Sequence, residues 1–313
     1  MNVTRFIGMA FVAISAIVLI VVISNDSNSR GRVFGLSADG PGGGVDSSID
    51  LSAILNRNLD VVNFYEAWEW RREPSAEILD RIHGAGATPS ITWEPWNPAA
   101  GIEQPRYRLA AIARGEHDPY IETWARVLAA DGRPLYMRFA HEMNGDWYPW
   151  ATTTNSNDPQ DYREAFQHVR SVFDSAGATN VQWVWSPNVH SDGDSGGQHD
   201  LVRSFPGNKY VDIIGLDGYA VADGGAWSEP AQLFGPAIDT ARAIAPDIPI
   251  WIYETGADAS YGDKAAWMDT LVEYLRAEGV EGLLLFDFAK RFDWRIEQES
   301  GTVDALRDAL ATW

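Results

Sequence analysis

Two glutamates, Glu142 and Glu254, have the setting that chemistry would need. Glu142 follows the apolar run Pro134 to Phe139, in a segment that reads Arg138-Phe139-Ala140-His141-Glu142-Met143-Asn144-Gly145-Asp146-Trp147-Tyr148-Pro149-Trp150. Glu254 ends a second apolar run, in Ile248-Pro249-Ile250-Trp251-Ile252-Tyr253-Glu254-Thr255-Gly256. One glutamate at a strand end is ordinarily a solvated or salt-bridged group. Two of them, at two strand ends with tryptophans around them, meet the needs of glycosidic bond cleavage. One carboxyl protonates the leaving oxygen and the other attacks the anomeric carbon. The indoles offer flat apolar faces to the C–H faces of pyranose rings.

The elements that must position these residues can be read along the chain. Short apolar, β-branched or aromatic runs predict strands at Arg32–Ala38, Val61–Tyr65, Thr88–Trp93, Pro134–Phe139, Val181–Trp185, Val211–Leu216, Ile248–Tyr253 and Gly282–Phe288. Helical patterns stand between them, at Ser75–His83, Tyr120–Ala130, Asp161–Ser175, Ala231–Ala245 and Lys264–Ala277, with a last one from Thr302. Strands that alternate with helices predict a parallel sheet, and eight such units over about 280 residues predict a closed (β/α)8 TIM barrel. An open doubly wound sheet is the alternative. Gly40-Pro41-Gly42-Gly43-Gly44 is glycine-rich, but the proline and the lack of a helix start read as a loop rather than a phosphate cradle.

Unusual residues gather after the C-terminal ends of the predicted strands: Trp68 and Trp70, then Trp93, Glu94 and Trp96, then His141, Glu142, Trp147 and Trp150, and later Asn188, His190, Asp217, Tyr219, Glu254, Lys290, Asp293 and Trp294. In a barrel these ends open on one face, where active sites are built. The other ends carry plain turns, such as Gly84-Ala85-Gly86, Asp131-Gly132 and Glu278-Gly279.

Composition excludes several other functions. The 313 residues are 45% hydrophobic and carry a net charge of -20. The hydrophobic share is enough for a large core, and the charge argues against a nucleic acid partner, which needs clustered Lys and Arg. With no cysteine, disulfides, thiolate metal sites and cysteine nucleophiles are ruled out. The histidines lack metal-ligand spacing, and no Gly-x-Ser-x-Gly elbow is present. Asp192-Gly193-Asp194-Ser195-Gly196-Gly197 lacks the ligand spacing of an EF-hand and reads as a flexible polar loop. Neither a metal nor a cofactor is expected.

The segment around Glu142 resembles the acid/base segment of glycoside hydrolase family 26. Three further segments are similar to that family in the same order: Asn180 to Asn188, Phe205 to Tyr219, and Pro249 to Gly256. The resemblance covers most of residues 31 to 313. It implies a retaining glycosidase on a (β/α)8 barrel, with Glu142 as acid/base and Glu254 as nucleophile. It implies a substrate contact for His141, though a neutral core histidine bonded to backbone is the competing reading. Tyr219 resembles the tyrosine beside the nucleophile, and Asp217 either binds sugar hydroxyls or orders its loop. Arg138 either holds Glu254 ionised or pairs with another acid; its strand parity with Glu142 lets both point into the barrel. Trp147 and Trp294 are the foremost sugar platforms, with Trp93, Trp96 and Trp150 next, while one of Trp183 and Trp185 is expected in the core. Phe286-Asp287-Phe288 departs from the family, where a tryptophan is often seen.

The leading expected substrate is β-1,4-mannan, cut internally with retention. Mixed-linkage β-1,3-1,4-glucan, an exopolysaccharide of the cell's own, and a non-catalytic envelope carbohydrate-binding barrel are the alternatives. At the N-terminus, Phe6 to Ser24 is an uncharged run of about 19 residues, long enough to cross a bilayer as a helix. Residues 1–30 are therefore expected to be a signal anchor or a cleaved signal peptide with its linker, and residues 31–313 the catalytic domain. Either way the body lies outside the cytoplasm, as a monomer acting on polysaccharide.

Overall fold

The computed structural model describes residues 31–189, 197–221 and 227–313. Eight parallel strands close into one barrel in sequence order: β1 (Val33–Ala38), β2 (Val61–Ala67), β3 (Thr88–Glu94), β4 (Leu135–Phe139), β5 (Val181–Trp185), β6 (Ile213–Ala220), β7 (Ile250–Ala257) and β8 (Gly282–Asp287). Closure is made by β1 on β8, paired in register from Val33↔Gly282 to Ala38↔Asp287. The expected (β/α)8 architecture is thus the observed one, and the open sheet is excluded.

Helices cover the outside: α1 (Val45–Ile54), α2 (Ala76–Gly84), α3 (Leu109–Ala113), α4 (Asp118–Asp131), α5 (Pro159–Ser175), α6 (Gly197–Ser204), α7 (Pro230–Ile244), α8 (Lys264–Ala277) and α9 (Thr302–Leu310). The longest, α5, starts at a strong stop-and-start signal. Asp158 accepts from the Gln160 and Asp161 amides, Asp161 reaches back to the Asp158 amide, and Pro159 presets the first turn. The turns on the far face behave as the sequence suggests, with Gly86, Gly132, Gly177 and Gly279 all at positive φ after helix ends.

Because each strand is buried on both faces, the period of two sorts its side chains into two cores. Phe34, Leu36, Val62, Phe64, Ile91, Trp93, Leu283 and Leu285 face the helices in the main cluster. Val61, Val184, Ile213, Trp251, Tyr253 and Leu284 fill the barrel interior.

Two details differ from the sequence reading. The glycine-rich loop does lead into a helix: α1 begins at Val45, directly after Gly42, Gly43 and Gly44, which turn through φ 64°, 75° and 71°. A Cβ on Gly44 would lie 1.7 Å from the Ala38 carbonyl oxygen, so this tight return requires glycine. Strands β2, β3, β6 and β7 also run further than expected, so Glu94, Asp217, Tyr219 and Glu254 lie within strands rather than after them. The apolar run Phe6 to Ser24 and the loop Asp192–Gly196, with His190, lie outside the described residues. Among the described residues no helix is long and apolar enough to cross a membrane.

Candidate active site

Regular alternation would turn Glu254 away from the barrel interior, because Trp251 and Tyr253 already face inward. A bulge prevents this. Leu216 pairs with Ile252 and the next residue, Asp217, pairs with Glu254, so Tyr253 is an extra residue on β7. Such a bulge re-aims the side chain that follows it. Tyr253 then bonds the Ser90 hydroxyl at 2.8 Å, deep in the barrel, and Glu254 also turns inward. One oxygen of Glu254 accepts from Tyr65 Oη at 2.5 Å and from Arg138 Nη2, and the other accepts from Tyr219 Oη.

Arg138 is fully buried and saturated. Beyond Glu254 it donates to Thr92 Oγ1 at 2.9 Å and to Asp217 Oδ2 at 2.9 Å. Burial works to raise the pKa of Glu254, but the guanidinium first, then the neighbouring His141 and the two phenols outweigh it and hold the carboxyl well below its usual range. Burial and the charge of Glu254 push both phenols well above their ordinary value, which keeps them as donors. Asp217 shares the same guanidinium and accepts from Ser186 Oγ at 3.0 Å. Its carboxyl is driven up, first by burial and then by the neighbouring Glu254 and Glu142 charges. One guanidinium thus serves two buried carboxyls, and Glu254 has the stronger set of donors.

Glu142 is carried by strained backbone instead. β4 stops at Phe139, and Ala140 and Glu142 follow at φ 49° and 52°, a left-handed conformation rare for residues with a Cβ. The expected strand parity with Arg138 therefore does not apply; this left-handed turn is what orients Glu142. Its amide bonds the Ser186 carbonyl at 2.7 Å. Its oxygens accept from Asn188 Nδ2 at 2.6 Å and Trp147 Nε1 at 2.9 Å, both neutral donors. Burial first, then the charge of Glu254, raises its pKa to about 7.

His141 is buried and its pKa is lowered well below 6.5, by burial and then by Arg138. It is ringed by Tyr65, Tyr148 and Trp150, and its Nδ1 has no hydrogen-bond partner, so the reading of a histidine bonded to backbone does not hold. Trp147 is half-buried beside Glu142. Trp294 keeps 9% exposure and packs on Tyr219, ring centroids 4.6 Å apart.

Two expected platforms are not platforms. Trp93 is wholly buried on the helix side of β3, against Trp68 and Trp124. Trp150 is wholly buried too; its Nε1 donates to the His141 carbonyl at 2.6 Å and its ring stacks on Tyr148 at 4.2 Å, so it braces the loop. Trp183 and Trp185 are both core, not one of them. Tyr65 was not singled out from the sequence; its parity with Asn63, a polar residue in an apolar strand, is the signal that places it inside.

A (β/α)8 barrel with a clamped, ionised carboxyl and a second, protonatable one at the C-terminal mouth is the arrangement of a two-carboxylate glycosidase. The model for "Glycosyl hydrolase family 26" matches residues 113–272, just over half of the chain. The chain belongs to that family. Endoglucanase H of Acetivibrio thermocellus is 32% identical over 82% of this chain and 28% of its own length. A mannan endo-1,4-beta-mannosidase of Bacillus subtilis is 34% identical over 46% of this chain and 37% of its own. The chain thus spans about a third of the length of these relatives. A family 26 endo-beta-1,4-mannanase catalytic domain from Bacillus sp. JAMB-750 shares the fold at a TM-score of 0.68, with 16% identity over 91% of this chain and 87% of that one.

Proposed function

We propose that this protein is a retaining endo-β-glycanase. The observation that carries the reading is the pair of opposed carboxyls at one barrel mouth. Glu254, held ionised by Arg138, Tyr65 and Tyr219, attacks the anomeric carbon. Glu142, with a pKa of about 7, gives its proton to the leaving oxygen. Once ionised, the same Glu142 takes a proton from water, and that water releases the sugar with its original configuration. Trp147 braces Glu142 through its Nε1 and presents its ring to the substrate. No cofactor takes part in this route.

The leading substrate from sequence is β-1,4-mannan. A β-glucan is the second reading, favoured because the relative that matches over 82% of this chain is named an endoglucanase. Release of reducing sugar from mannan, glucomannan, lichenan and β-1,3-xylan tests both, with NMR of the first-formed anomer. No release from any of them, with Glu142 and Glu254 intact, refutes both substrate readings and leaves a hydrolase of the cell's own exopolysaccharide or a non-catalytic carbohydrate-binding barrel. An α-anomer formed first refutes retention. The protein acts as a monomer outside the cytoplasm, either tethered by Phe6 to Ser24 or secreted after that run is cleaved. A native chain whose intact mass begins near Asn25 refutes the tether.

A further inference from the structure

A third carboxylate in the mouth of the barrel has no role in that mechanism. Glu94 ends β3, on the same face as Ser90 and Thr92, whose hydroxyls donate to the Asn63 side-chain oxygen Oδ1 inside the barrel. It stands two residues, about 7 Å, above the threonine that accepts from Arg138. The residue is 7% exposed, yet among the described residues it forms no ion pair, and its side chain accepts one long hydrogen bond, 3.3 Å from Trp96 Nε1 to Oε2. Its other oxygen has no protein donor among the described residues and is open to solvent rather than sealed in the core. A carboxylate with one weak protein donor and one free oxygen at the mouth of the barrel keeps most of its acceptor capacity for a ligand.

The surroundings suit a sugar. Trp96 and Tyr148 are half-buried beside it, their rings edge to face at 5.3 Å, and the Tyr148 hydroxyl makes no hydrogen bond within the described residues. Apolar ring faces next to an unfilled acceptor match a pyranose, with its C–H face and its hydroxyls.

We propose that Glu94 is a specificity-determining residue that accepts hydrogen bonds from the hydroxyls of the neutral sugar unit held on the β3 side of the cleft, against Trp96 and Tyr148. The proposal rests on the glycanase reading. A sugar bearing its own carboxylate is repelled there, so the subsite selects neutral sugars. Charge-assisted acceptance from hydroxyls is stronger than acceptance by a neutral amide, so binding depends on the ionised form. Burial raises the pKa of Glu94 to about 7, against the opposing pull of the Trp96 hydrogen bond, Lys290 and Arg138 and with the added push of Glu254. Affinity for an uncleaved oligosaccharide should therefore strengthen as pH rises through about 7.

The test uses calorimetry of a manno- or gluco-oligosaccharide, taken from the polymer that the wild-type protein cleaves. The Glu142→Gln background prevents turnover and removes the titration of Glu142. Adding Glu94→Gln is expected to weaken binding about tenfold and to flatten the pH dependence; Glu94→Ala should weaken it further. In the otherwise wild-type protein Glu94→Gln should raise KM by a similar factor and leave kcat within about threefold. Unchanged affinity with an unchanged pH profile overturns the proposal. Glu94→Asp, which keeps the charge, covers the case of a misfolded amide variant: it should retain the pH dependence, and a flat profile there also overturns the proposal. A wild-type protein that neither cleaves nor binds any β-glycan fails the glycanase reading instead.

Discussion

Glu142 and Glu254 are buried to nearly the same degree, 6% and 4% exposed, and their protonation is driven in opposite directions. Burial raises both. What separates them is the charge of the donors. Glu142 has an indole and an amide, both neutral; Glu254 has a guanidinium and two phenols. A charge pair in contact at an effective dielectric of about 20 is worth about 4 kcal/mol, or about three pKa units. That exceeds what two neutral donors provide, so the guanidinium decides the contrast. The backbone differs as well. A β-bulge aims Glu254 from within a strand, while a strained left-handed turn aims Glu142 from beyond one.

The largest expected effect tests the ionised side of this contrast. Glu254→Ala should cut turnover of every β-glycan substrate by about 10⁴-fold or more, since no group remains to form the glycosyl-enzyme. Wild-type rates in that variant would remove Glu254 from the chemistry. Glu142→Ala should cost about 10²–10⁴-fold on a polysaccharide, whose poor leaving group needs protonation. An aryl glycoside with a good leaving group does not need it. Its glycosylation should survive, its deglycosylation should stall, and added azide should restore turnover with a β-glycosyl azide product. An α-glycosyl azide, seen by NMR, would assign the roles the other way round.

The sequence carried the regular parts of this arrangement. Eight strand runs gave the barrel, and the C-terminal crowding of tryptophans and carboxyls gave its working face. The irregular parts were not legible. Nothing in Ile250-Trp251-Ile252-Tyr253-Glu254 marks Tyr253 as an extra residue, because a bulge arises from the pairing of two strands distant in sequence. The left-handed turn at Ala140 and Glu142 lacks the glycine that signals one. Trp93 was misplaced for a different reason. It shares parity with Ile91 and so faces the helices, which the period of two does indicate. Trp150, in a loop, has no such rule to follow.

A subtler measurement sharpens the neutral side of the contrast. The pH profile of kcat/KM should fall on its basic limb at about 7, as Glu142 loses the proton it must donate. Loss of the Glu94 charge weakens binding below about pH 7 and lowers kcat/KM there, so it is the acid limb of kcat that should lie far lower, where Glu254 protonates. Trp147 Nε1 bonds the ionised form of Glu142 and lowers its pKa. Trp147→Phe should therefore move the basic limb upward, by roughly half to one unit. A limb that stays in place would show that the indole bond has no part in setting the acid, leaving burial, Glu254, Asn188 and Arg138.

The smallest effect separates a carboxyl raised for chemistry from one raised by packing alone. Glu66 lies in β2 next to Tyr65 but with opposite parity, so it faces the helices rather than the cleft. Its side chain is 9% exposed, and the nearest cation, Arg72, is 3.9 Å away and itself 63% exposed. Burial raises its pKa to about 7, with Arg72 opposing weakly. The folded protein then binds a proton between about pH 4.5 and 7 that the unfolded chain has lost. Stability contributed by this group is complete below that window and is lost as pH rises through it. Glu66→Gln removes the charge without changing the shape. It should leave kcat/KM and its pH limbs unchanged, leave the melting temperature unchanged at pH 4, and raise stability by about 1 kcal/mol at pH 8, after discounting for solvent and Arg72. Thermal melts across that range would show it. A shift in the activity profile instead would place Glu66 in electrostatic contact with the cleft, and the division between the two faces of β2 would fail.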